Sequence, residues 1–138
     1  MSRWFLAANL VFIAMLGVGC GGGPARVVVS GEVTYEGKPL ELGEIRFIPV
    51  EGNEAPISGG QIRDGRYTVE KGVPTGEHRV RITGLRLDPN YAHLANQYGP
   101  GELPQQQYLP SKFNDATELT ADIPYQWADV ELNFNLQK

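Results

Sequence analysis

The sequence predicts an all-β fold, a seven-stranded antiparallel sandwich with one long irregular loop. Three observations carry that expectation: short apolar runs alternate with polar residues at a period of two, Gly- and Pro-rich turns separate them, and the strand-like runs follow one another without an intervening helix. The 17 Gly and 10 Pro promise many turns and follow no collagen-like period, while 41% hydrophobic and 20% charged residues are ordinary for a globular chain. With 138 residues there is room for one domain, which keeps a core of its own even if an N-terminal segment is removed.

The first strand runs from Val27 to Tyr35, with Val27, Val29, Val33 and Tyr35 on a core face and Ser30, Glu32 and Thr34 towards water. Glu36-Gly37-Lys38-Pro39 is a turn, and Glu44–Val50 alternates again with Ile45 and Phe47 inward, so the two strands are expected to form a hairpin. After a loop over 51–56, Ser58–Arg63 and Arg66–Val69 flank Asp64-Gly65, the turn pair of a tight hairpin. Gly72–Gly76 turns the chain into His78–Thr83, where Val80 and Ile82 share one face and Arg79 and Arg81 the other. From Gly84 to Thr117 the alternation dissolves into Pro, Gly, Gln and Tyr over a stretch longer than irregular connections usually run. Within it, Asp88-Pro89 can start one helical turn through Leu94. Glu118–Ile123 and Asp129–Leu136 complete the set, the latter placing Val130, Leu132, Phe134 and Leu136 against Glu131, Asn133, Asn135 and Gln137.

The N-terminus has a different character. Met1–Arg3 is a short positive start, Trp4–Val18 is apolar apart from Asn9, and small residues precede Cys20, the layout of a secretory signal peptide. The apolar stretch is short of a membrane span and runs into Gly21-Gly22-Gly23-Pro24, which favours cleavage over a spanning helix. Gly19-Cys20 resembles the junction of a bacterial lipoprotein signal, with Gly17 where such signals usually carry Leu. The resemblance implies a signal peptide over 1–19, lipidation of Cys20, a flexible tether over 20–26 and a β-sandwich domain over 27–138. It makes the membrane a partner through lipid on Cys20, and the lack of Asp after that cysteine points to the outer rather than the inner membrane. A secreted protein with an incidental cysteine is the plainer alternative.

Val29-Ser30-Gly31-Glu32-Val33, Gly37-Lys38-Pro39-Leu40 and Gly43-Glu44-Ile45-Arg46-Phe47-Ile48-Pro49 resemble the carboxypeptidase regulatory-like domain. Asp64-Gly65-Arg66-Tyr67 and Val73-Pro74-Thr75-Gly76-Glu77-His78-Arg79-Val80 extend the likeness, which covers about residues 27–83. It implies a Greek-key sandwich of the transthyretin or prealbumin type that serves as a binding or accessory module, and no reaction.

Charge and motifs narrow the function classes. A net charge of −4 with no basic stripe argues against nucleic-acid binding. His78 and His93 are the two histidines and the sole thiol is Cys20, which leaves too few ligands for zinc, and no metal or cofactor is expected. His78 shares the parity of Val80 and Ile82 and reads as a structural, half-buried side chain. Ser30, Ser58 and Ser111 lie in no nucleophile elbow, the C-terminus lacks the tetrapeptide of transthyretin-like hydrolases, and the lysines sit at turns, loop or terminus rather than where a core isopeptide bond needs them. The protein is therefore expected not to be an enzyme. Tyr91, His93, Tyr98 and Tyr108 in the long loop, with Trp127 before the last strand, are the candidate contacts for an envelope protein or glycan, unless they simply cover the end of the sandwich. A carbohydrate-binding module would need a solvent-facing aromatic row among them. A minor hydrolase would need His78 or His93 in a pocket beside a carboxylate.

Overall fold

A computed structural model describes residues 25–99 and 101–138. The expected signal peptide, Cys20 and all of the tether before Ala25 lie outside these residues. The strands are β1 (Arg26–Tyr35), β2 (Lys38–Pro39), β3 (Leu42–Pro49), β4 (Ser58–Arg63), β5 (Arg66–Pro74), β6 (Gly76–Leu87), β7 (Gln105–Gln107), β8 (Thr120–Ile123), β9 (Val130–Glu131) and β10 (Phe134–Leu136). Two short 3-10 turns, Pro89–Leu94 and Ser111–Phe113, are the helical elements among the described residues. The fold is all-β. Ten strands appear where seven were expected because the long loop holds β7, the turn after β1 forms β2, and the last strand is split in two.

The strands join in the order β10-β1-β5-β4-β3-β6-β7, with β2 and β9 also paired to β1 and β8 to β6. Pairing is antiparallel except that β9 and β10 run parallel to β1. The sheet curls around one core, so that Phe47 on β3 meets Tyr67 on β5 with ring centroids 6.4 Å apart although β4 lies between their strands. Alternation sets which side chains turn inward: Val27, Val29 and Val33 on β1, Ile45 and Phe47 on β3, and Val80 and Ile82 on β6 are all buried.

The expected hairpin between the first two long strands does not form. Glu36 (φ 51°) and Gly37 (φ 77°) make a tight turn that pairs only Lys38–Pro39 with β1. The chain then crosses over: Leu40 is fully buried, its N–H bonds to Val33 O (3.0 Å), and its carbonyl accepts from Gly65 N (2.9 Å). Beyond this plug, β3 pairs with β4 and β6, and β1 takes β5 as its antiparallel neighbour. The Asp64-Gly65 hairpin forms as expected, with φ of 50° and 77°.

The long loop is shorter than the alternation indicated. β6 extends to Leu87, where β7 pairs with it, and the helical turn starts at Pro89 behind Asp88, whose carboxylate accepts from Asn90 N (2.9 Å). Asp88 N also donates to Pro104 O (3.0 Å), so residues 88–104 leave and return at one point. After β7, Leu109 and Phe113 rejoin the core.

The registers give the domain two distinct ends. At one, Arg26 lies opposite Pro74, Ser58 opposite Phe47 and Gly76 opposite Ile123, so the start of β1 shares this end with the loops 50–57 and 124–129. At the other, Leu42 lies opposite Arg63 and Leu87 opposite Gln105, and the 88–104 loop projects there.

Candidate functional site

The five aromatic and histidine candidates do not assemble into one site. Tyr91 and His93 lie on the 3-10 turn after β6 and Tyr98 follows it; all three are exposed at the loop end. Trp127 is exposed between β8 and β9, at the opposite end of the domain. Tyr108 is half-buried: its ring meets Tyr35 edge-on at 6.1 Å, and the Arg86 guanidinium stands 5.3 Å from the ring centroid. Burial pushes the Tyr108 hydroxyl pKa up, Glu41 and Tyr35 add to the rise, and Arg86 opposes it. Tyr108 therefore belongs to the packing beneath the loop, together with Tyr35 and Phe113, whose rings lie 6.3 Å apart.

Sequence reading passed over Tyr125 and Ile57. Tyr125 packs edge-on against Trp127 with centroids 6.1 Å apart, and both rings face solvent. Gln126 donates to the carbonyls of Ala128 (3.1 Å) and Asp129 (3.3 Å), folding the segment back on itself so that the two aromatics on either side project. The signal lay in Tyr125-Gln126-Trp127 itself, an aromatic pair in a short connection bounded by Pro124 and Asp129. Ile57 stands exposed just before β4, beside Arg26 and Lys71 along one open trough at the same end.

The two histidines sit in different surroundings. His78 is fully buried rather than half-buried, with Nδ1 2.9 Å from Gly76 O and the ring edge-on to Phe47 at 6.3 Å. Its Nε2 and the Ser58 hydroxyl, on strands that flank β3, have no hydrogen-bond partner among the described residues. His93 is exposed. Among the described residues neither ring is hydrogen-bonded to a carboxylate, and no three His, Cys, Asp or Glu side chains are grouped for a metal ion. No helix among those residues is long and apolar enough to cross a membrane.

Comparison with family models, with curated proteins and with solved structures found no match to this chain. The exposed aromatic rings offer an apolar face and a polar edge for contact, on loops carried by a packed β scaffold.

Proposed function

We propose that this protein is a lipid-anchored cell-envelope module without catalytic activity, a Greek-key sandwich of the carboxypeptidase regulatory-like, transthyretin type, whose 88–104 segment contacts a protein partner. The observation that carries the reading is the polarity of the domain: β1 begins at the end nearest Cys20 along the chain, and Tyr91, His93 and Tyr98 are exposed at the other. A domain tethered through Cys20 turns its far end away from the bilayer, where a partner reaches it. The order β6-β3-β4-β5 supports the Greek-key path, since β3, β4 and β5 are successive antiparallel neighbours and β6 returns beside the first of them. The absence of Asp after Cys20 supports the outer membrane.

The other readings find less support. Tyr108 is half-buried and Trp127 lies at the opposite end from Tyr91 and Tyr98, so the four side chains do not form the row a carbohydrate module needs. For a hydrolase, neither histidine has a carboxylate bonded to it among the described residues.

Intact mass and membrane fractionation of the protein made with its own signal test the anchor. Cleavage before Cys20 with added acyl chains is expected, and Cys20→Ser should release the protein; unchanged membrane retention refutes the anchor. A photo-crosslinking residue at position 98 should then give a discrete adduct in the envelope, while one at the exposed position 70 should not. Equal adducts at both, or none at 98, remove the contact assignment.

A further inference from the structure

We infer that the end of the domain nearest Cys20 seats on the bilayer, with Trp127, Tyr125 and Ile57 entering the lipid headgroup layer beside the acyl chains. The inference rests on the lipoprotein reading of Cys20. Three large apolar side chains stand out into solvent at this one end: Trp127 is 95%, Tyr125 69% and Ile57 60% exposed. They are not part of the core at this end, where Ile123, Val130 and Val73 are buried. β1 also begins at this end, since Arg26 lies opposite Pro74. Arg26 is six residues on from Cys20, a span that covers at most about 20 Å when fully extended. A lipid on Cys20 thus holds this rim close to the membrane, and a short tether turns weak side-chain contacts into intramolecular ones.

The side chains suit that place. Tryptophan and tyrosine concentrate at membrane–water interfaces, where the ring meets the acyl boundary and the N–H or O–H meets headgroups. The charge around them selects the lipid: Glu51, Glu54, Glu70, Glu77, Asp122 and Asp129 outnumber Arg26 and Lys71 at this end, so the favoured surface is zwitterionic. The contact also holds the domain upright, with the 88–104 loop outward.

The sequence provides its own probe. Its two tryptophans are Trp4 and Trp127, so a chain cleaved before Cys20 keeps Trp127 alone. The processed protein, its acylation established by intact mass, is reconstituted into phosphatidylethanolamine–phosphatidylcholine vesicles. Trp127 emission should shift to the blue, lose intensity when interfacially brominated lipid is present and resist aqueous iodide. Tyr125→Ser with Ile57→Ser should diminish all three responses, and adding phosphatidylglycerol should weaken them. A protein carrying Trp127→Phe and Tyr98→Trp should show the reverse pattern, quenched by iodide and not by lipid. If acylated protein keeps Trp127 open to iodide, the seating is wrong while the lipoprotein reading stands. A blue shift without lipid quenching, accompanied by crosslinked dimers, assigns the patch to a second copy and overturns the inference. A mass without acyl chains removes the lipoprotein reading and the seating with it.

Discussion

A methyl group added at Gly31 would overlap the carbonyl of Leu132, because the tail lies directly against β1 at that point. Gly31→Ala must therefore push the two segments apart, and it is expected to destabilise the domain by on the order of 3 kcal/mol or more, read from urea unfolding. Close by, the buried Tyr67 hydroxyl donates to the same carbonyl at 2.8 Å. Tyr67→Phe removes that bond and should cost about 1 kcal/mol. Burial also raises the Tyr67 pKa above the ordinary value of 10.0. The folded state then keeps its proton while the unfolded chain loses it, so this tyrosine contributes stability in full below pH 10 and progressively less as pH climbs towards the raised value. Thermal unfolding against pH should show wild-type stability falling more steeply above pH 10 than that of Tyr67→Phe; parallel curves would mean that Tyr67 titrates alike in both states. Neither the collision at Gly31 nor the bond from Tyr67 is legible in the sequence, since both depend on which distant segment returns to β1.

Among the elements, what alternation encodes and what it leaves out are separable. A period of two tells which face a side chain takes, and the inward positions of β1, β3 and β6 follow it. It does not name the neighbour, so the sequence pairs β1 with the next strand whereas the structure inserts the Leu40 crossover. The tail shows the same limit. Val130 and Leu136 are buried as their parity implies, yet the strand breaks between β9 and β10, where the Asn133 side-chain carbonyl accepts from Glu32 N at 2.7 Å in place of a backbone acceptor. In the long loop, the exposed Tyr91, His93 and Tyr98 were legible from composition, but β7 was hidden in three glutamines with no apolar alternation. Because Asp88 and Pro104 are already hydrogen-bonded, replacing 89–103 by a short Gly-Ser turn should leave cooperative unfolding intact with little change in Tm. Leu109→Ala, just beyond β7 and buried, should instead cost about 2–5 kcal/mol in the same assay. A large loss on replacing the loop would make it part of the core.

At the scale of the molecule, the two ends carry different apolar displays, and only their separation by the sheet registers makes a membrane side and a partner side conceivable. That separation was hidden from the sequence, which placed Tyr91 and Trp127 in one group of contacts. The last residues hold the two edges together, with β8 on β6 and β9 and β10 on β1. Deleting 130–138 should therefore abolish the cooperative thermal transition followed by circular dichroism, although these residues lie far along the chain from β1. β1 completes its ladder only with β9 and β10, far along the chain, and pairings so distant form slowly. Until that tail docks, the sheet stays open along β1, and its closure is expected to set the pace of refolding after dilution from urea.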